Sequence, residues 1–289
     1  MTIVIALAAL GGLTLLLAIM LIVANQKLYV YEDPRIDTVE DLLPHANCGA
    51  CGFPGCRPFA ESVVEGTSLP GKCTVSSEEG LMSIANYLGV SLGSQEKQVA
   101  RLACAGGSNV AIDRANYQGV KSCQAASLVS GGGKGCFWGC LGHGDCGVVC
   151  DFDAIQMNDQ GIPVVDEDKC TACGDCVEVC PKDLFSIQPM SNQLWVACKN
   201  LEQGDDILEE CQVGCTACGK CAMDAPAKVI EMTNNLPVIN YNTTQSITQT
   251  PIERCPTGAI IWWDQQLGAI KGRESKKVVR KGERKMGVS

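Results

Sequence analysis

Cysteine is the residue type in this chain with the greatest capacity for chemistry: there are 20 cysteines among 289 residues, and most stand in short, closely spaced runs. Clustered cysteines form disulfides, zinc sites or iron-sulfur clusters, and the redox compartment helps to decide between these outcomes. The chain is 46% hydrophobic but only 5% aromatic, so large aromatic side chains can fill little of its interior. Something other than aromatic packing must therefore organise the fold, and metal-thiolate sites are the first candidates.

One run matches a cluster-binding pattern at every position. It reads CTACGDCVEVCP, from Cys170 to Pro181. Bacterial-type ferredoxins hold [4Fe-4S] clusters on runs of the form C-x2-C-x2-C-x3-C-P, and the fourth cysteine of each run binds the other cluster. A looser run, C-x3-C-x5-C-x3-C, extends from Cys136 to Cys150. Exchange of the fourth ligands predicts two clusters, one on Cys136, Cys140, Cys146 and Cys180 and the other on Cys170, Cys173, Cys176 and Cys150.

A third run begins at Cys215 and has alanine, Ala225, at its fourth cysteine position. Its partner run has lost all but its last cysteine, which survives as Cys255-Pro256. The missing positions would all have served the same cluster, so one cluster is lost and the other keeps a full set of ligands. The predicted ligands of this single [4Fe-4S] cluster are Cys215, Cys218, Cys221 and Cys255.

The first run of cysteines has a different form, with predicted ligands Cys48, Cys51, Cys56 and Cys73. A structural zinc site is the alternative here, because C-x2-C pairs also bind zinc. Close spacing, glycines that let the backbone approach sulfur, and the cysteine-rich chain around the run favour a [4Fe-4S] cluster, which brings the predicted total to four. Four cysteines stay unassigned, either as further metal ligands or as buried inert thiols: Cys104, Cys123, Cys198 and Cys211.

The N-terminal segment indicates where these thiols reside. Residues 2–26 carry no charged side chain, and a helix of this length spans a hydrocarbon core of about 30 Å. No basic residue precedes Lys27, which argues against a cleaved signal peptide. Because Lys27 and Arg35 follow the span, the positive-inside rule predicts a single-pass protein of the cytoplasmic (inner) membrane with its cysteines in the cytoplasm. Thiols stay reduced there, so disulfides are not expected.

The chain as a whole is predicted to have an α+β fold. The short segments Ala154-Ile155 and Ile162–Val165 read as strands between cysteine runs, and the sequence around Leu102-Ala103-Cys104 resembles that around Val196-Ala197-Cys198, which indicates an internal duplication. The predicted segments are a transmembrane helix (1–26), a connector (27–44), a four-cysteine Fe-S module (45–103), a linker (104–134), a ferredoxin-like domain with two clusters (135–195), a degenerate ferredoxin-like domain with one cluster (196–265) and a basic tail (266–289).

The order of these parts resembles a known family. An apolar N-terminal helix, the motif NCGACGFPGC, the run KCTACGDCVEVCPK and the closing CPTGAI are similar to the B subunit of Rnf complexes over residues 1–265. Those complexes are membrane-bound ferredoxin:NAD oxidoreductases that couple electron flow to sodium or proton movement. The resemblance implies an iron-sulfur subunit that relays electrons between soluble ferredoxin and membrane redox subunits. Its implied partners are those subunits, ferredoxin and membrane lipid, without nucleic acid.

Two other functions are compatible with the motifs. A membrane-tethered polyferredoxin serving another redox enzyme would bind iron equally, whereas a zinc-stabilised scaffold would have no redox role. The chain contains no Walker loop, no GxGxxG after a strand and no Ser-His-Asp candidate. No catalytic side chains are therefore predicted, and the expected role is that of an electron-transfer subunit within an oxidoreductase.

Overall fold

The computed structural model of the protein describes residues 1–28, 32–93, 96–243 and 245–276. The described residues mix helices and short strands and form two compact units. The smaller unit comprises Met1–Asn47, Phe53–Pro70 and Ser76–Gly93, and the larger comprises Cys48–Gly52, Gly71–Val75 and the described residues after 95. Residues 277–289, most of the predicted basic tail, lie outside the described residues.

The smaller unit is helical. Its helices are α1 (Thr2–Leu28), α2 (Pro34–Asp41), α3 (Cys56–Val64) and α4 (Glu78–Leu88). Asp33 caps α2 by accepting a hydrogen bond from Arg35 N, and Ser77 caps α4 in the same way through Gly80 N. Such caps satisfy backbone donors that a helix leaves unpaired at its start. Apolar side chains of α2, α3 and α4 are fully buried and supply the core: Val39, Phe59, Val63 and Ile84.

Helix α1 differs from the others because its described stretch from Leu10 to Leu28 is not buried. That stretch has a mean hydropathy of 1.6. With 27 residues, α1 is long enough to cross a hydrocarbon core of about 30 Å. Within the part of the chain that the structure describes, it is the one helix with the length and composition of a membrane span.

The larger unit consists of short elements joined by loops. Its helices are α5 (Cys123–Ser127), α6 (Asp145–Val148), α7 (Asp175–Glu178), α8 (Ile207–Glu210), α9 (Lys220–Asp224) and α10 (Thr250–Glu253). Its strands are β1 (Gln98–Leu102), β2 (Ile155–Met157), β3 (Pro163–Val165), β4 (Phe185–Pro189), β5 (Leu194–Val196), β6 (Ile230–Thr233), β7 (Leu236–Ile239), β8 (Ile260–Asp264) and β9 (Gly268–Ile270). A 3-10 turn lies at Ser130–Gly132, and another, at Pro70–Lys72, begins with the last residue of a smaller-unit segment.

All of the strand pairs are antiparallel. Strands β2 and β3 form a hairpin in which Ile155 lies opposite Val165, which confirms the strands predicted between the cysteine runs. Strands β6 and β7 form a second hairpin, and β5, β8 and β9 form a three-stranded sheet. Strand β1 pairs with β4, so the segment before the first ferredoxin-like run is joined to the segment after it.

The larger unit contains two halves with the same arrangement. In the first half β1 pairs with β4, and Ala103 N then donates to Leu184 O at 2.8 Å. In the second half β5 pairs with β8, and Ala197 N donates to Ala259 O at 2.8 Å. Each accepting carbonyl lies four residues after the last cysteine of its half. The predicted duplication is therefore present in the strand pairing, with residues 103 and 197 in equivalent positions.

Candidate iron-sulfur sites

Three short helices place a cysteine in the interior of the larger unit. Each helix follows a glycine with a left-handed backbone, where a φ near 70–100° disfavours other residues: Gly144, Gly174 and Gly219. The second residue of each helix is a buried cysteine: Cys146, Cys176 and Cys221. The sharp turn lets a cysteine loop end and a helix begin within two residues, so neighbouring thiols can face one cavity.

The first cavity is lined by all four members of one predicted ligand set, Cys150, Cys170, Cys173 and Cys176. The empty space at this site, counted together with its opening to solvent, is about 320 Å³. Backbone N–H groups point at two of the sulfurs, from Ala100 to Cys170 Sγ and from Ala154 to Cys150 Sγ, both at 3.4 Å. Burial is the main cause that raises the pKa of the Cys176 thiol to about 12, with nearby cysteines adding to it. The set predicted by exchanging fourth cysteines is thus brought together.

A second cavity, of about 350 Å³ counted in the same way, is lined by the predicted set of the degenerate half, Cys215, Cys218, Cys221 and Cys255. Three of these cysteines are buried, and Cys218 is exposed. Ala225 follows α9 and packs against the same apolar core as these cysteines. The structure therefore places one complete set of thiols in this half, as the sequence predicts.

A third cavity, of about 380 Å³ counted in the same way, is lined by Cys123, Cys140, Cys146 and Cys180. Three members belong to a predicted ligand set, but Cys123 occupies the place that the spacing predicts for Cys136. Cys123 begins α5, which is tied to the start of α6 through the Asp145 carboxylate. That carboxylate accepts hydrogen bonds from Ser122 Oγ at 2.8 Å and Gln124 N at 3.2 Å.

Hydrogen bonds to the Asp145 carboxylate also favour its ionised form. Burial acts to raise the pKa of Asp145, but hydrogen bonds from the backbone of Cys123 and Gln124 and from Ser122 lower it below its ordinary value. The carboxylate therefore stays ionised and continues to accept these bonds at neutral pH. The contact fixes α5 beside α6, so Cys123 and Cys146 face the same cavity.

Four cysteines that line none of these three cavities form a fourth group between the two halves of the larger unit: Cys104, Cys136, Cys198 and Cys211. Cys104 Sγ accepts hydrogen bonds from Gly106 N and Cys140 N, both at 3.4 Å. Cys198 Sγ accepts from Asn200 N at 3.4 Å and from Cys215 N at 3.3 Å. The backbone of each half thus directs two donors at one of these sulfurs, and Ala105 N donates to Ala197 O at 3.1 Å beside them.

Cys136 and Cys211 are brought together by the backbone of residues 110–112. On one side of this segment Ile112 N donates to Glu210 O at 2.9 Å, and on the other Gly135 N donates to Ile112 O at 2.8 Å. Both cysteines are buried and share one apolar core with Val110, Ala111, Ile207 and Val213. A Cβ added to Gly106 would lie 3.2 Å from Cys211 Sγ and 3.6 Å from Cys104 Sγ, so these sulfurs flank the same glycine.

The thiols of this fourth group also influence one another electrostatically. Burial is the main cause that raises the pKa of Cys136, of Cys198 to about 12 and of Cys211 to about 11. Cys104 adds to the shift in all three, so it lies near each of them. Lys134 opposes the shift in Cys136 and Cys211, and its Nζ donates to Gly106 O and Cys140 O, both at 2.5 Å.

The first run of cysteines has its own local geometry. Gly49 and Gly52 adopt a left-handed backbone, with φ of 72° and 82°. In the smaller unit Cys56 begins α3, and its backbone N donates to Asn47 Oδ1 at 2.8 Å. In the larger unit the residue after Cys73 is tied to the first cavity, because Thr74 Oγ1 donates to Thr171 O at 2.8 Å. The ligand set predicted for this run stays a prediction.

The cysteine groups have the form that a cluster requires. No cysteine in the described ranges forms a disulfide. In a [4Fe-4S] cluster each thiolate binds a different iron, so the sulfurs surround a cavity instead of meeting at a point. The three cavities of similar size, each lined by four thiols, have this form.

Comparison with known proteins agrees with this chemistry. The chain matches an Fe-S cluster family model over residues 43–75 and a 4Fe-4S binding domain model over residues 163–185. It is 38% identical to the B subunit of the Na(+)-translocating ferredoxin:NAD(+) oxidoreductase complex of Acetobacterium woodii over 87% of this chain and 75% of that protein. The chain belongs to the B-subunit family of ion-translocating (Rnf) oxidoreductase complexes.

Two further relatives support that assignment over most of their length. The B subunit of the ion-translocating oxidoreductase complex of Methanosarcina acetivorans is 36% identical over 81% of this chain and 88% of that protein. The B subunit of the proton-translocating ferredoxin:NAD(+) oxidoreductase complex of Clostridium ljungdahlii is 36% identical over 90% of this chain and 92% of that protein. The similarity within this B-subunit family thus extends well beyond the ferredoxin-like runs.

Reasoning from sequence missed the placement of Cys123 in this member of the family. The ferredoxin pattern counts cysteines within a run, whereas Cys123 precedes the run by 13 residues and reaches the cavity only because α5 folds back on α6. The sequence does contain a repeated spacing that could have indicated the fourth group. Cys136 precedes Cys140 by four residues, and Cys211 precedes Cys215 by four residues, so each half carries the same pair.

Proposed function

We propose that this protein is the iron-sulfur electron-transfer subunit of a membrane-bound, ion-translocating ferredoxin:NAD(+) oxidoreductase. The observation that carries the proposal is the set of three cysteine-lined cavities of similar size in a chain of the B-subunit family. We further propose at least four [4Fe-4S] clusters, since the match to an Fe-S cluster family over residues 43–75 supports one more on the first run of cysteines.

The bound clusters would supply one-electron transfer, and the chain supplies their environment. Cysteine thiolates hold the irons, while backbone N–H groups at 3.4 Å from the sulfurs of Cys150, Cys170 and Cys180 stabilise negative charge. The rest of each cavity wall is mainly apolar, which limits the access of water to the buried cysteines, whereas Cys218 is exposed. Such burial and hydrogen bonding set reduction potential, so the chain acts by tuning and spacing its clusters.

The N-terminal helix supports a membrane location for this work. We propose that α1 is a single-pass anchor and that the chain after it lies on the cytoplasmic side, because Lys27 and Arg35 follow the apolar stretch. On that side the clusters would exchange electrons with soluble ferredoxin and pass them to redox subunits in the membrane. The acidic chain, with a net charge of −9, would reach its partners through defined docking faces and not through the general basic attraction that nucleic-acid binding requires.

Purification of the native complex through a tag on this chain tests the proposal. Reduced ferredoxin should bleach the visible absorption of its clusters, and NAD(+) should then restore it only when the other subunits have co-purified. The isolated chain should be bleached by ferredoxin yet ignore NAD(+), which makes it the matched control. Co-purification with a different redox enzyme and no response to NAD(+) would favour the tethered polyferredoxin instead.

A further inference from the structure

We propose that this chain holds an additional [4Fe-4S] cluster on Cys104, Cys136, Cys198 and Cys211, and that Cys123 replaces Cys136 as the partner of Cys140, Cys146 and Cys180. The inference rests on the proposed function, because it assumes that cysteine groups in this chain bind clusters. Every one of the 20 cysteines then belongs to a set of four, and the chain carries five clusters instead of four.

Cys104 and Cys198 occupy equivalent positions in the two halves. Each sulfur accepts one hydrogen bond from the backbone two residues later, at 3.4 Å in both cases. Each accepts a second from the backbone of a cluster ligand, Cys140 in one half and Cys215 in the other, at 3.4 and 3.3 Å. A single N–H at the same distance marks the sulfurs of Cys150, Cys170 and Cys180, so the two unassigned thiols receive at least the same support.

Cys136 and Cys211 are also equivalent between the two halves. Each lies four residues before the cysteine whose N–H supports the sulfur of Cys104 or Cys198. Each half of the duplication therefore contributes two cysteines, Cys104 and Cys136 in the first half and Cys198 and Cys211 in the second. The two halves meet at these cysteines, because Cys136 and Cys211 pack in one apolar core and Ala105 N donates to Ala197 O beside Cys104 and Cys198. A [4Fe-4S] cluster needs four such thiolates.

The surroundings of these four thiols suit a [4Fe-4S] cluster. Cys136, Cys198 and Cys211 are buried, Cys104 is partly buried, and all four lack disulfides. Gly106 keeps the space between two of the sulfurs open, because a Cβ there would stand 3.2 Å from one sulfur and 3.6 Å from the other. The Lys134 ammonium, held by two carbonyls beside the group, supplies a positive charge that offsets the negative charge of a cluster with four thiolates.

The substitution of Cys123 for Cys136 follows from the third cavity. Cys123 lines it together with three predicted ligands, and the Asp145 carboxylate fixes its position. Cys136 instead packs with Cys211 in a separate apolar core. Each of the two sites is complete only under this exchange, which therefore assigns both sets at once. The additional site lies next to Cys140 of one half and Cys215 of the other, between the two halves that carry the ferredoxin-like clusters.

The number of clusters in the full-length wild-type protein is the first test. Anaerobic native mass spectrometry, with iron and acid-labile sulfide measured on the same sample, should give about twenty of each per chain, because each [4Fe-4S] cluster holds about four. This measurement needs no substitution and so does not depend on whether a variant folds. A fully loaded chain with about sixteen of each would overturn the additional site while leaving the proposed function intact, whereas absence of iron and sulfide would remove both.

Paired substitutions then test which cysteines share a cluster. Cys136→Ala combined with Cys146→Ala should cost about eight irons, since the two ligands belong to different clusters, while Cys123→Ala with Cys146→Ala should cost about four. Cys198→Ala with Cys211→Ala should also cost about four. If Cys136 and Cys146 together cost only one cluster, or if the Cys198 and Cys211 pair costs none, the assignment is wrong. Spin quantification of the reduced clusters by EPR provides a second count for each variant.

Discussion

At the scale of single residues, the sites depend on how sulfur is hydrogen-bonded and which charges stand beside it. Backbone N–H groups make seven contacts of 3.3–3.4 Å to the sulfurs of Cys104, Cys150, Cys170, Cys180 and Cys198. Among the charged side chains, Lys134 donates to the backbone carbonyls of Gly106 and Cys140 beside these sulfurs. A single charged side chain can therefore make the reduction potential of one cluster differ from that of its neighbour.

Lys134→Met should shift the reduction potential of the additional cluster to more negative values. A positive charge beside a cluster favours its reduced form, and its removal makes gaining an electron less favourable. EPR-monitored redox titration of the full-length protein measures the shift. Lys134→Arg should restore most of it, and Lys97→Met serves as a control because Lys97 also donates to a backbone carbonyl, that of Asp168 at 3.2 Å. An unchanged potential in Lys134→Met would mean that no cluster lies there.

Cys215→Ala should remove about four irons and one cluster's sulfide, while the clusters of the first half stay bound. Cys215 lines its cavity with three other cysteines of the degenerate half, and none of the first-half cysteines lines it. Iron analysis with EPR of the reduced protein checks the loss. Met223→Ala is a matched control on the same half, because Met223 is exposed and should leave the iron content unchanged. Retention of all iron in Cys215→Ala would contradict the ligand set.

At the scale of elements, β1 connects the two halves of the larger unit. Its Arg101 is 4% exposed, forms an ion pair with Glu167 and lies 4.6 Å from the centre of the Trp263 ring. Trp195 Nε1 donates to Leu102 O at 2.9 Å on the same strand. Burial acts to lower the pKa of Arg101, while Glu167 opposes that shift. The strand is thereby fixed against both ferredoxin-like halves.

Arg101→Met should destabilise the protein by about 3–5 kcal/mol, because it breaks an ion pair in which Arg101 is 4% exposed and leaves the Glu167 carboxylate, 15% exposed, without its partner. Anaerobic denaturant unfolding of the holoprotein measures the change, and the double variant Arg101→Met, Glu167→Met should recover much of it. Arg273→Met is the control, since that side chain is 89% exposed and its partner Glu253 is 33% exposed, so loss of this ion pair should change the free energy of unfolding far less. Equal losses in the two single variants would contradict the role given to Arg101.

The local elements of the sites could be predicted because their signals are short in sequence. The runs that begin at Cys170 and Cys215, and the strands at residues 155 and 163, follow from spacing and alternation within a dozen residues. The position of Cys123 and the meeting of Cys136 with Cys211 could not be predicted in this way. They depend on α5 docking beside α6 and on residues 110–112 pairing with two distant segments. Such contacts are tertiary, and no periodicity within one run encodes them.

At the scale of the whole molecule, the chain combines an apolar helix in the smaller unit with a larger unit that carries 19 of the 20 cysteines. Helix α1 carries no charge through Gln26, and its stretch Leu10–Leu28 has no buried part. Burying such a helix in lipid removes its apolar side chains from water, which is the main force that retains a membrane anchor. A tether of this kind would keep the clusters close to the membrane subunits with which they exchange electrons.

Removal of residues 1–28 should release the protein from the membrane and leave its iron content unchanged. The full-length chain should stay in the membrane fraction after washing with high salt, since apolar insertion is not screened by ions whereas surface charge contacts are. Fractionation followed by iron analysis of both chains measures this. Release of the full-length chain by salt alone would indicate electrostatic attachment instead of an anchor.

The five-cluster electron-transfer role is tested by anaerobic measurement of iron, acid-labile sulfide and zinc per chain on the purified full-length protein. We expect about twenty iron and twenty sulfide, with zinc absent, because five sets of four cysteines each hold one [4Fe-4S] cluster. Stoichiometric zinc with little sulfide would contradict the electron-transfer function as a whole.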